Sequence, residues 1–187
     1  LHQPDPEKKP DMLAGIIAEG ENYGNLVSDC KEKIQVEYVS ANPTGPLHVG
    51  HGRGAAVGSA LANLMKAAGM NVSREYYIND AGNQINNLAA SVNARYLQQL
   101  GQTVEFPENG YHGHDIIETT ERIVRIYGDR FLNMSEEERL KEFRTIALKE
   151  KLAALKEDLE AFNVTYDEWF SEQTLHDANA IKNACDL

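Results

Sequence analysis

Two histidines three residues apart, His48 and His51, flank Gly50 in the run Pro46-Leu47-His48-Val49-Gly50-His51-Gly52. Side chains at i and i+3 of a helix start project from nearly one face, so both imidazoles can reach a single phosphate group as hydrogen-bond donors. Gly50 takes a side chain off that surface, which lets a flat ring such as adenine or ribose approach the backbone. Donors preorganised at a phosphorus under in-line attack stabilise the charge gathering on its equatorial oxygens and leaving group. Each is worth roughly 3 kcal/mol in comparable sites. No side-chain nucleophile is needed for that chemistry. The plainer use of such histidines is to cap a helix or pack on the core. Here the pair flanks a glycine, after Asn42-Pro43 and before Gly52-Arg53-Gly54, which favours the phosphate role.

Other chemistry-bearing residues are weaker signals. Asp80 and Gln84 lie in Asn79-Asp80-Ala81-Gly82-Asn83-Gln84, where they orient a nucleotide or cap the next helix. His112 and His114, spaced i and i+2 without a further Cys or His cluster, read as loop and N-cap residues rather than a metal site. No tightly bound protein metal is expected. Trp169 and Phe170 read as packing residues, and Glu136 to Glu138 as charge complementing a helix dipole. Cys30 and Cys185, far apart, read as two reduced structural thiols.

A strand-to-helix junction must position the histidines. Ile34, Val36 and Tyr38 alternate with Gln35 and Glu37, and Val39 follows, predicting a strand that ends at Ser40. Ala41 to Pro46 holds two prolines and must be a loop. Val57, Leu61, Leu64, Met65 and Ala68 recur at helical spacing, and Gly69 stands where a left-handed residue would close that helix. A second strand runs from Val72 to Ile78. Strand, glycine-rich turn, helix and strand make a βαβ unit, for which a right-handed crossover and a parallel sheet are expected. In such sheets ligands bind beyond the carboxyl ends of the strands, where a helix start offers unpaired N–H groups and a positive dipole end to phosphate.

Beyond this unit the pattern is helical. Ile85, Leu88, Val92 and Tyr96 mark one helix closed near Gly101, and Gln102 to Gly113 reads as a long loop. Ile116, Thr120, Ile123 and Tyr127 mark another, ended by Gly128. Ser135 and Glu138 form a capping box ahead of a long helix stepping through Leu148, Leu152, Leu155, Leu159 and Phe162. The expected fold class is α/β, a Rossmann-like parallel sheet forming a nucleotide-binding half, with a mainly helical inserted subdomain. The expected division is a connecting arm over 1–33 with a helical turn or two, a Rossmann-like nucleotide-binding half over 34–100, and a mostly helical inserted or appended subdomain over 101–187.

The run Pro46 to His51 resembles the His-x-Gly-His signature of class I aminoacyl-tRNA synthetases. The stretch before it, Val36-Glu37-Tyr38-Val39-Ser40-Ala41-Asn42-Pro43-Thr44-Gly45, is similar to the arginyl-tRNA synthetase family specifically. Tyr77 to Gln84 resembles that family's Asn-Asp-x-Gly-x-Gln segment, and Tyr166 to Glu172 the end of its connective insertion. The resemblance implies ATP-dependent activation of L-arginine to arginyl-adenylate and transfer to tRNA(Arg), with Mg2+ accompanying ATP and bound tRNA usually needed for the first step. It implies that His48, Gly50, His51 and Gly52 contact ATP, His48 and His51 catalytically. It implies that Ser40 and Asn42 meet the amino and carboxylate groups of arginine, and that Glu37 supplies negative charge near this cationic substrate. Many family members carry Lys where Gly45 stands, and the resemblance then implies a lysine-bearing loop further along the parent chain.

Composition bounds the alternatives. With 18 basic and 29 acidic residues the formal charge is −11, which disfavours a general electrostatic grip on nucleic acid, so RNA contact requires a local patch. No stretch approaches the ~18 apolar residues of a membrane span, and a cytoplasmic protein without a membrane partner is expected. Leu1 at the start and the interrupted amphipathic segment at the end are expected of a piece of a longer protein with little activity alone. The competing readings are a small adenylyltransferase acting on a pantetheine- or nicotinamide-type substrate, and a non-catalytic RNA- or protein-binding module.

Overall fold

A computed structural model describes residues 9–29 and 32–186; Cys30 lies outside them. Three short strands form one parallel sheet in the order β1-β2-β3. β1 (Lys33–Glu37) pairs with β2 (Asn71–Ile78) in the register Lys33 to Asn71 through Glu37 to Glu75. Helix α2 (Val49–Ala67) connects them, as the alternation of Ile34 and Val36 followed by a helical repeat predicts. On β2 the branched and aromatic residues Val72, Tyr76 and Ile78 are buried, and their intervening neighbours are more open. Gly69 closes α2 at φ +82°, and a Cβ there would come within 2.6 Å of the Leu26 carbonyl oxygen, where the preceding segment packs. That segment holds α1 (Lys9–Glu19), longer than the expected turn or two.

The apolar residues that revealed α2 are not the ones facing the sheet. Ala55, Gly58 and Ala62 are buried, whereas Val57, Leu61 and Leu64 are 64%, 48% and 69% exposed. The reason is distance. α2 presses a small-residue stripe onto the sheet so closely that a Cβ on Gly58 would lie 2.2 Å from Tyr38 Cγ.

The helical region comprises α3 (Asn83–Gln99), α4 (His114–Tyr127) and α5 (Glu136–Ala161). Their apolar faces meet in one core of Leu88, Val92, Tyr96, Ile116, Ile123 and Phe143. Tyr96 closes it by donating to Gly128 O at 2.9 Å. The predicted capping box is present: Ser135 Oγ accepts from Glu138 N, and Ser135 N donates to Glu138 Oε2 at 3.1 Å. Charged groups at the rim are paired, with Lys151 Nζ 2.5 Å from Asp115 Oδ2 and Glu150 accepting from Arg122 and Thr119. Burial pushes the Glu150 carboxyl up, but the bonds from Arg122 and Thr119 outweigh it and hold it below its usual range.

α5 runs on into a second core, where Leu159 packs with Tyr38, Ala55, Tyr76, Ile78 and Val164. The chain then re-enters the sheet. β3 (Glu168–Ser171) pairs in parallel with β2, from Glu75 opposite Glu168 to Ile78 opposite Ser171. This strand lies within the stretch read from sequence as helical, because four residues are too few to carry a period. Trp169 stacks on Tyr76 at 4.4 Å, with Lys156 Nζ 4.6 Å from its ring. Two short helices, α6 (Gln173–Asp177) and α7 (Ala180–Cys185), follow. No helix of the described residues is long and apolar enough to cross a membrane.

Candidate active site

β1 stops at Glu37 rather than at Ser40, because the next residues leave extended geometry: Val39 has φ 68° and Ser40 φ 41°. Two adjacent non-glycine residues in the left-handed region, one of them β-branched, cost on the order of 1–3 kcal/mol each. Surrounding hydrogen bonds hold the turn. Tyr166 OH donates to Tyr38 O at 3.1 Å, Tyr76 OH to Ala41 O at 2.9 Å, and Tyr77 N to Ser40 Oγ at 3.1 Å. In return Tyr38 OH donates to Thr165 O at 3.4 Å. Burial pushes the Tyr76 hydroxyl up to about 12 and raises that of Tyr166 as well, so both stay protonated donors at any ordinary pH. The segment returning from the helices thus clamps the turn that carries Ser40 and Asn42.

Carboxylates gather beside this turn. Burial raises the Tyr77 hydroxyl, and the charges of Glu172, Asp80 and Glu37 raise it further. Glu37 and Asn42 are exposed at the carboxyl edge, and Ser40 is half-buried. With its amide oriented to satisfy its neighbours, Asn79 donates to Glu172 Oε2 at 3.1 Å and to Ala81 O at 3.0 Å, and its oxygen lies 3.3 Å from Asn42 Oδ1. Such an edge suits a cation. Glu172 was not singled out from sequence, because it reaches the edge only through the β3 pairing. Asp80 has another use from both expected ones. Its Oδ2 accepts from Ser171 Oγ at 2.6 Å and its Oδ1 from Gln173 N at 3.0 Å, tying the ends of β2 and β3 together. Gln84 is exposed on the first turn of α3.

The histidine pair builds the start of α2. His48 is the N-cap, and its Nδ1 accepts from Gly50 N at 3.1 Å. Its own N–H donates to His51 Nδ1 at 3.2 Å, and the two rings stack 3.7 Å apart. Capping and phosphate binding, set against each other in the sequence, are therefore not alternatives. With each Nδ1 acting as an acceptor, a neutral ring carries its proton on Nε2, so the reciprocal cap leaves two Nε2–H donors on one stack. Burial, then the neighbouring His48, lowers the pKa of His51 and favours that neutral form.

The helix-start amides differ from the expectation of free donors. Gly50 N is taken by the His48 ring, and His51 N and Gly52 N donate to His48 O at 2.9 and 3.1 Å. Side chains, more than backbone, present the donors here. Gly50 has a local cause, since a Cβ would lie 2.9 Å from His48 Cε1 and block the folded-back ring. Nothing stands within 4 Å of a Cβ built on Gly52. Beside the pair is a cleft of about 400 Å³ lined by Leu47, His48, Val49, Gly52, Asp158 and Phe162.

His112 and His114 lie elsewhere. His114 Nδ1 is 3.1 Å from Glu118 Oε1 along α4, and His112 packs 4.6 Å from the Phe106 ring.

Comparison with known proteins bears on this geometry. The family model described as tRNA synthetases class I (R), catalytic domain, matches residues 12–178. An arginine–tRNA ligase of Carboxydothermus hydrogenoformans is 54% identical over 183 residues, covering 96% of this chain and 33% of that protein. One of Listeria welshimeri is 53% identical over 171 residues, covering 91% of this chain and 31% of that protein. A solved Campylobacter jejuni structure assigned as an arginyl-tRNA synthetase superposes with a TM-score of 0.77 at 34% identity, covering 91% of this chain and 37% of that one. The chain thus spans about a third of the length of the curated relatives it matches.

Proposed function

Since the chain belongs to the class I arginyl-tRNA synthetase catalytic-domain family, we propose that it supplies the ATP-binding part of an enzyme that joins arginine to tRNA(Arg). Residues 34–100 form the nucleotide half, and the helices after them form a connective insertion that returns to the sheet through β3. In the first step an arginine carboxylate oxygen attacks the α-phosphorus of ATP, and the bond to pyrophosphate breaks. His48 and His51 donate through Nε2 to the phosphate oxygens on which charge collects. Gly52 leaves room for the nucleotide to approach the helix start, and Gly50 lets the His48 ring fold into place.

Ser40 and Asn42, on the left-handed turn, meet the amino and carboxylate groups of arginine. Glu37 supplies negative charge at its cationic end, and the carboxylates around Tyr77 support that sign. The terminal ribose hydroxyl of the tRNA then attacks the carbonyl carbon of the adenylate, and AMP leaves. Mg2+ enters with ATP, and the enzyme works in the cytoplasm.

The observation carrying this reading is the reciprocal imidazole cap, which fixes two Nε2–H donors at the end of a parallel sheet. His48→Asn tests it, because asparagine caps a helix well but has no imidazole Nε2–H to offer. In the whole enzyme this variant is expected to melt as the parent does and to lose about 100-fold in arginine-dependent pyrophosphate exchange, roughly one charge-stabilising donor. Exchange at the parental rate would overturn the assignment.

A further inference from the structure

The chain leaves the β1 ladder at a single residue. Tyr38 N donates to Glu75 O at 3.4 Å, and in a continued parallel pair the Tyr38 carbonyl would accept from Tyr77 N. Here the partners are exchanged. Ser40 N takes the Tyr38 carbonyl at 3.0 Å, and Tyr77 N donates to Ser40 Oγ at 3.1 Å instead. The bond from Ser40 N to Tyr38 O closes a three-residue γ-turn with Val39 at its centre, at φ 68°. A γ-turn of that hand is rare and strained, and a β-branched residue is a poor choice for it. Glycine would form it without the steric penalty, yet valine stands there.

The side chain supplies what glycine lacks. Val39 is half-buried and packs against the core of Tyr38, Tyr76, Leu159 and Val164, as do Tyr166 and Trp169 of the returning segment. Its branched side chain thus anchors the centre of the turn, while Tyr166 OH and Tyr76 OH hold the carbonyls of Tyr38 and Ala41 on either side. Strain of this kind persists only where the surroundings over-determine it, and it gathers at functional sites.

The turn delivers its residues to the candidate substrate edge. Ser40 Oγ accepts from Tyr77 N and so keeps its hydroxyl proton for a ligand acceptor. Asn42, two residues on, is exposed at the same edge. Were β1 to continue straight, both side chains would advance along the strand instead of gathering beside Tyr77. Resting on the ligase reading for the identity of the substrate, we propose that Val39 is a positioning residue for the amino-acid site, its anchored side chain fixing the strained turn that presents Ser40 and Asn42 to arginine. It acts through those two residues, and the histidine cap on α2 does not depend on it.

Val39→Gly removes the anchor and the strain together, whereas Val39→Ile keeps both. Each is made in the whole enzyme, and arginine-dependent pyrophosphate exchange is followed against arginine and against ATP, with a melting curve as fold control. The glycine variant is expected to lose about 100-fold in kcat/KM for arginine, the effect of a misplaced reactant, and to keep the parental KM for ATP. The isoleucine variant should retain the parental values. Where the glycine variant does not fold, Val39→Ala is measured in its place and should show a smaller loss of the same kind. Parental arginine kinetics in the truncated variant, an equal rise in both KM values, or an isoleucine variant as impaired as the truncated one each overturns the role. A whole enzyme with no arginine-dependent exchange before any substitution ends the ligase reading and this role together. Exchange that survives Val39→Gly unchanged ends this role alone.

Discussion

The α3–α5 region and the β1–α2–β2 unit solve the burial problem differently. Leu88, Val92, Ile123 and Phe143 close on one another so that the three helices bury their own apolar faces. The βαβ unit buries one side against α5 and the returning segment, and leaves Val57 and Leu64 of α2 more than 60% exposed. The proposed chemistry sits on the less enclosed half. Its candidate reactive edge is ordered instead by specific polar contacts: the tyrosine bonds to Tyr38 O and Ala41 O, and the reciprocal histidine cap. A packed core supplies stability through area, whereas a site needs exposed groups at fixed positions, which directional hydrogen bonds provide.

That contrast can be broken by substitution. Phe143→Ala empties the centre of the helical core, where the ring meets Tyr96 and Phe131 at 5.0 and 5.1 Å, and is expected to cost about 3–5 kcal/mol in chemical denaturation. A loss below about 1 kcal/mol would show that the core is not the main source of stability. Tyr166→Phe removes only the bond to Tyr38 O and is expected to cost about 1 kcal/mol of stability. In the whole enzyme it should raise the KM for arginine several-fold and leave that for ATP unchanged. Equal effects on both would mean the clamp serves general folding instead of the substrate turn. The smallest change is expected at Leu64→Ser, whose side chain is 69% exposed: within about 0.5 kcal/mol by the same denaturation measurement. A large loss there would place a covering surface over α2 that the comparison leaves out.

Much of the scaffold was legible because it is local. Alternation identified β1, the four-and-three spacing identified α3 to α5, and Ser135 with Glu138 announced the α5 cap, since each pattern reports a repeating backbone geometry. The placing of His48, Gly50 and His51 between a strand and a helix was legible too, as three residue types at one junction. What the sequence understated was the same residues' structural use: the two rings cap the helix and each other, a relation that needs coordinates because a ring's acceptor nitrogen is invisible in a residue name.

Sequence alone determined the residue types at the candidate site and the order of strand, loop and helix that delivers them, because propensity and periodicity act over a few neighbouring residues. Tertiary structure decided the rest. It ended β1 at Glu37 and folded Val39 and Ser40 into left-handed geometry, with bonds from residues as distant in sequence as Tyr166. It turned the small stripe of α2 toward Tyr38, and drew Glu168–Ser171 out of a helical stretch to become β3. These outcomes depend on long-range contacts whose energies exceed the local preferences they override, and no window along the chain contains both partners.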